Sequence, residues 1–263
     1  LSASRPVPAP ESPDVAMPPG PAPEVRFQDV ALTYPSRSGP ALAGVDLTLR
    51  PGSTLLVTGR SGAGKTSLLS LLLRFAEPTA GRIVVSGADG EAVDLRDVAA
   101  DEWRRRIAWV PQRPYLFDAS VADNIRLGAP AASDAAVRRA ARLAEAAELI
   151  DALPDGYATR LGERGSRLSA GQRQRIALAR AFLRQEAVLG GQGEAPSAPI
   201  VLLDEPTAHL DPENAAAVRA GVARLLRGST GVIVAHDEGW AGLADEVVHL
   251  DHGRVTVPVG PGR

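Results

Sequence analysis

Apolar and polar positions alternate over residues 25–34 and again over 43–49, the period-two pattern of strands with one buried face. The stretch 35–40 between them, bounded by prolines, reads as a loop. Residues 54–58 and 200–203 hardly alternate; β-prone and mostly apolar, they predict strands covered on both faces. Further strands are expected at 82–86, 107–110 and 231–235, and a hairpin-like pair at 245–257 around His252-Gly253. Leucines crowd residues 67–75, which read as a buried helix. From about 118 to 186 the pattern turns helical. Ser133 and Asp134 can cap a helix over 135–150 with Val137, Ala141 and Leu143 on one side, and 172–184 forms a second helix. Residues 212–226 predict another. Strands alternating with helices imply an α/β fold with a mostly parallel sheet, the helical stretch being an insertion between its strands.

The ends break this pattern. Residues 1–24 hold eight prolines among Ala, Ser and Glu. They predict an extended linker, read as a tether to an upstream domain in preference to an appended tail. Residues 190–199, rich in Gly and Pro, predict a mobile loop, and 258–263 a tail. The chain begins at Leu1 and its sole Met is Met17, which predicts a piece of a longer protein. At 263 residues it suffices for one large domain or a domain with an inserted subdomain.

Composition narrows the chemistry. A net charge of −2 shows no basic surplus for nucleic acid. The absence of cysteine removes disulfides, thiolate metal sites and cysteine nucleophiles. No apolar run approaches the roughly 18 residues of a membrane span. Of 29 basic residues one is lysine, Lys65. It stands in Gly59-Arg60-Ser61-Gly62-Ala63-Gly64-Lys65-Thr66, which fits the phosphate-loop pattern G-x-x-x-x-G-K-[ST] between a predicted strand and a predicted helix. Backbone amides of such a loop cradle phosphates, and a compact ammonium folds over them where a planar guanidinium cannot. Gly59, Ser61, Gly62, Ala63, Gly64, Lys65, Thr66 and Ser67 are therefore candidate nucleotide-binding residues.

A phosphate loop needs a magnesium carboxylate at the end of a neighbouring strand. Asp204, after the strand at 200–203, supplies it together with Thr66. Glu205 beside it can accept a proton from the attacking water. His236 follows the strand at 231–235 and can bond a γ-phosphate, although a lone histidine is more often structural. Asp211 before Pro212 is by itself an ordinary helix start, and Tyr34 by itself one more strand aromatic.

Leu168-Ser169-Ala170-Gly171-Gln172 resembles the signature, usually LSGGQ, of ATP-binding cassette (ABC) ATPases, and the resemblance extends over about residues 25–257. It implies the cassette fold: a phosphate-loop core with a mostly parallel sheet, an antiparallel β subdomain, and an inserted helical subdomain at about 113–186. It implies ATP and Mg²⁺ as ligands, Tyr34 stacking on adenine, and Gln112 linking the metal site to the helical subdomain as a further metal ligand. Asp204 then holds the metal, Glu205 acts as catalytic carboxylate with Lys65, Gln112 and His236, and Asp211 ends the D-loop. Two cassettes of this family pack head to tail, so Ser169, Gly171 and Gln172 are expected to complete a partner's site. Some positions depart from the pattern. Ala170 replaces a glycine with only a methyl added, Ala208 replaces a common serine, His209 is unusual, Asp237 stands where a basic residue is more common, and the loop at 190–199 is long.

Glu163-Arg164-Gly165 and Pro154-Asp155-Gly156-Tyr157 resemble exporters whose cassette is fused behind membrane helices, reached through residues 113–117. That resemblance implies a place at the cytoplasmic face of the bacterial inner membrane. Residues 107–114 and 204–211 look like the heterodimeric thiol-reductant exporters of cysteine or glutathione that serve cytochrome bd assembly. The rival is an exporter of lipid, peptide or drug. A soluble cassette acting on ribosomes or DNA is opposed by the single cassette and the lack of basic surplus. A degenerate, non-hydrolysing cassette is opposed by Glu205 and His236.

Overall fold

The computed structural model describes residues 23–36, 39–87, 90–189, 199–236 and 238–256. Most of the Pro-rich tether, the loop expected at 190–199 apart from Pro199, Asp237 and the C-terminal tail lie outside the described residues. The strands are β1 (Glu24–Leu32), β2 (Leu42–Leu49), β3 (Thr54–Thr58), β4 (Ala80–Ser86), β5 (Ala92–Asp94), β6 (Ile107–Val110), β7 (Ile200–Asp204), β8 (Thr230–Val234), β9 (Glu246–Asp251) and β10 (Arg254–Thr256). The helices are α1 (Lys65–Leu72), α2 (Ala100–Arg105), α3 (Val121–Arg126), α4 (Asp134–Leu143), α5 (Ala147–Asp151), α6 (Ala170–Leu189) and α7 (Pro212–Leu225).

Two sheets form. An antiparallel one has the order β2-β1-β4-β5; a six-stranded one runs β10-β9-β3-β8-β7-β6, parallel except for the terminal hairpin β9–β10. The six-stranded sheet separates two apolar cores. Leu56, Val201, Leu203 and Ile233 face a core shared with α3, α4, α6 and α7, whereas Leu55, Val57, Leu202 and Val232 face one shared with α1 and the antiparallel sheet. Successive residues of one strand thus enter opposite cores, which is why β3 and β7 lack alternation in the sequence. Helices α3 to α6 lie between β6 and β7 in the chain.

Several expectations are corrected. Strand β1 ends at Leu32, leaving Tyr34 half-buried on the following loop. Helix α1 begins at Lys65 and stops at Leu72, because Arg74 turns into the left-handed region (φ 51°) and leaves Phe75 exposed. The single helix expected over 135–150 is two, α4 and α5. Between them Glu145 is left-handed (φ 55°), so that Ala144 and Ala146 on both sides of the corner are fully buried. The buried stripe of α4 is Val137, Ala140 and Ala141, while Leu143 is exposed. Strand β5 and helix α2 had no forewarning in the pattern. Helix α2 is anchored by Trp103, fully buried, whose indole N–H donates to the Leu72 carbonyl at 2.5 Å and so satisfies an orphan acceptor at the end of α1. The Asp211 cap is observed: its carboxylate accepts from the Asn214 N–H at 3.0 Å, with Pro212 at the first helical position.

Candidate nucleotide site

Adjacent parallel strands β3, β8 and β7 end at the same edge of the sheet, where open α/β sheets bind ligands. The phosphate loop leaves β3 there. Gly64, with φ 113°, occupies a conformation open to glycine, and a Cβ on it would lie 2.5 Å from the Ala41 carbonyl oxygen. The loop is pinned from the β9–β10 turn by the Gly253 N–H donating to the Ala63 carbonyl at 2.9 Å. Lys65, almost wholly buried, folds back over the loop and donates to the carbonyls of Gly59 at 2.6 Å and Arg60 at 3.1 Å. Thr66 is exposed and Ser67 is buried.

Asp204 closes β7, and Glu205 follows in the left-handed region (φ 44°), a strained conformation costing on the order of 1–3 kcal/mol. Its backbone N–H donates to the Val234 carbonyl of β8 at 2.9 Å, which holds the residue at the sheet edge. There three donors converge on its carboxylate. The Gln112 carboxamide donates to Oε2 at 2.5 Å, His236 Nε2 lies 2.8 Å from Oε1, and Lys65 Nζ lies 3.9 Å from Oε1. The loop lysine, the glutamine two residues beyond β6, the residue after β7 and the histidine two residues beyond β8 are thus brought to one point.

The charges of the site are coupled. Burial, then repulsion from Glu205, pushes the Asp204 carboxyl above its ordinary range against the pull of Lys65 and His236. Burial lowers Lys65, opposed by Glu205 and Asp204. A cation at Asp204 would relieve both burial and repulsion. The donor set suits magnesium: the Asp204 carboxylate, the Thr66 hydroxyl and the Gln112 carboxamide, which directs its nitrogen to Glu205 and keeps an oxygen for a hard cation.

The signature residues lie elsewhere on the chain, at the start of α6. Ser169 Oγ accepts from the Gln172 N–H at 3.2 Å, and Gln172 Oε1 accepts from the Ser169 N–H at 2.9 Å, a reciprocal capping box. Ser169 is exposed. Gly171 is buried, and a Cβ on it would stand 2.5 Å from Asn214 Cγ on α7, so its small size serves contact within the cassette. Asp211 caps α7, and Tyr34 packs at the margin of the core around α1. Asn214 and Arg175 escaped sequence reasoning, since each reads there as an ordinary helical polar residue.

A strand–phosphate-loop–helix unit with an acidic pair at the end of a neighbouring parallel strand defines a phosphate-loop nucleotide-binding domain. A family model described as ABC transporter matches residues 42–190. The chain belongs to the ABC transporter family; it is an ATP-binding ATPase domain of the kind carried by ABC exporters. Among its relatives, an ATP-dependent lipid A-core flippase of Chromobacterium violaceum is 41% identical over 229 residues, 87% of this chain and 36% of the relative. A mycobactin import ATP-binding/permease protein of Mycobacterium bovis is 42% identical over 233 residues, 89% of this chain and 37% of the relative. The solved structure of a bacterial Atm1-family ABC exporter with ATP bound superposes with a TM-score of 0.80 at 31% identity, covering 95% of this chain and 41% of that one. The chain therefore spans little more than a third of these curated relatives.

Proposed function

We propose that this chain is the ATP-hydrolysing motor of an ABC exporter, and that the convergence of Lys65, Gln112 and His236 on Glu205 is the resting form of its catalytic centre. Lys65 and the loop residues Gly59, Ser61, Gly62, Ala63, Gly64, Thr66 and Ser67 hold the phosphates, and Tyr34 stacks on adenine. Thr66, Asp204 and Gln112 would hold Mg²⁺, which supplies charge neutralisation on the phosphates. A triphosphate draws Lys65 and His236 away from Glu205, because it carries more negative charge than one carboxylate. Glu205 is then free to accept the proton of the attacking water. Ser169, Gly171, Gln172 and Asp211 act on the nucleotide of a second cassette packed head to tail.

A membrane domain fused ahead of the cassette and a site at the cytoplasmic face of the bacterial inner membrane belong to the same proposal. It is supported by relatives named ATP-binding/permease. Among the described residues no helix is long and apolar enough to cross a membrane. The cargo proposed is a thiol compound such as cysteine or glutathione, on the resemblance of residues 107–114 and 204–211. A lipid cargo is the second reading, favoured by the flippase relatives.

The decisive measurement is the mass in solution of Glu205→Gln with and without Mg-ATP. Doubling with ATP is expected if the cassette pairs with itself. A monomer that binds ATP points to a different partner or to a need for the membrane domain. A chain that does not bind ATP overturns the proposal. ATP turnover of the full transporter, stimulated by glutathione or by lipid A, separates the two cargoes.

A further inference from the structure

The start of α6 and the end of the loop after β7 lie about forty residues apart in sequence, yet one side chain joins them. Asn214, on the first turn of α7, gives its Nδ2 to Asp211 Oδ2 at 2.7 Å and its backbone N–H to Asp211 Oδ1 at 3.0 Å. Its Oδ1 accepts from Arg175 NH2, on α6, at 2.9 Å. Arg175 continues through NH1 to the Glu145 carbonyl at 3.0 Å, the left-handed corner between α4 and α5, and its Nε is buried without a partner among the described residues. The same corner is gripped from α7, where Arg224 pairs with the Glu145 carboxylate and donates to the Leu143 carbonyl. Gly171 completes the arrangement, leaving the space that the Asn214 side chain fills.

The chemistry at position 214 is tightly specified. Arginine can only donate and an ionised aspartate can only accept, so the side chain between them must accept on one branch and donate on the other. A carboxamide does this without charge. Leucine of similar size does neither, and a carboxylate meets Arg175 while repelling Asp211. The Asn214 backbone N–H, followed by its carboxamide, also holds the Asp211 carboxyl below its ordinary range, consistent with a carboxylate that stays ionised as acceptor.

We propose that Asn214 is a positioning residue, a clasp that makes the Asp211 loop and the signature end of α6 move as one edge of the cassette. Its purpose rests on the head-to-tail reading above, in which both elements meet the partner's nucleotide. The clasp itself is testable without that reading.

The test is amide hydrogen exchange on the full 263-residue chain. Arg175→Gln is expected to raise exchange at least fivefold in the loop at 208–211, on the far side of the clasp. Asn214→Asp is expected to raise it comparably both there and at 170–174, with β1 and β2 unchanged. The double variant Asp211→Asn with Asn214→Asp reverses donor and acceptor while keeping a competent helix cap, and should return both segments to within about twofold of the parent. Substitutions that loosen only their own element, or a double variant as loose as Asn214→Asp, overturn the clasp. In the Glu205→Gln background, Asn214→Asp should shift ATP-driven self-association about tenfold to higher chain concentration, with mant-ATP affinity of the monomer unchanged. Recovery in the double variant supports the clasp, and an unshifted midpoint counts against its role. If Glu205→Gln alone fails to self-associate while binding ATP, the cassette needs a different partner or the membrane domain, and exchange alone decides on the clasp.

Discussion

Glu205→Gln changes a single atom type at the point where the site converges. The carboxylate accepts from Gln112 at 2.5 Å and His236 at 2.8 Å and faces Lys65 at 3.9 Å. At an effective dielectric of about 20, the attraction to Lys65 alone is roughly 4 kcal/mol, offset by repulsion from Asp204. A carboxamide retains the shape but has one acceptor oxygen, so one of the two hydrogen bonds becomes a donor facing a donor. That loss amounts to about 1–2 kcal/mol in the empty cassette. A nucleotide competing for Lys65 and His236 no longer works against it, and since about 1.4 kcal/mol is a factor of ten, binding should tighten about tenfold. Turnover should fall by about 10²–10⁴, the range of a general base. Titration with mant-ATP and continuous phosphate release measure the two quantities on one preparation. Turnover within threefold of the parent would refute Glu205 as the base. Nucleotide binding weakened tenfold would refute the competition between triphosphate and carboxylate for the same donors.

Asp204 holds its proton more firmly folded than unfolded, so its contribution to stability is present below about pH 4 and is lost as pH rises through its raised value. Asp204→Asn should therefore stabilise the nucleotide-free chain at pH 7 by on the order of 1 kcal/mol, roughly 2–4 °C in Tm, and much less near pH 4; calorimetry showing no gain at pH 7 refutes this. Trp103→Phe leaves the Leu72 carbonyl without its donor and a void in the core, and is expected to cost about 2–3 kcal/mol in urea unfolding at constant m-value. A loss below about 0.5 kcal/mol would contradict the anchoring of α2. Gly64→Ala places a methyl against the Ala41 carbonyl at φ 113° and should weaken ATP binding at least tenfold; mant-ATP titration checks it, and retained affinity would show that the loop tolerates another shape.

Features set by near neighbours along the chain are legible without the fold. The phosphate loop is legible because strand, glycines, lysine and helix are contiguous. The Asp211-Pro212 start of α7 and the Ser133 cap of α4 are legible because a cap needs residues three positions apart. The acidic pair Asp204-Glu205 was legible as the end of a run too apolar to be anything but a buried strand.

Tertiary structure decided the rest. That Lys65, Gln112, Glu205 and His236 meet follows from the order β3-β8-β7-β6, a pairing of strands 26 to about 170 residues apart that no local pattern encodes. Glu145 breaks an otherwise good helical pattern because burying Ala144 and Ala146 on the two sides of a corner outweighs one residue of left-handed backbone. Asn214 is silent in sequence, since hydrogen bonding to both Asp211 and Arg175 requires α6 and α7 to be packed first. Local capping and periodicity act over a turn or two of chain; strand order and side-chain partnership are set by collective burial, which is complete only when the two cores close on the sheet between them.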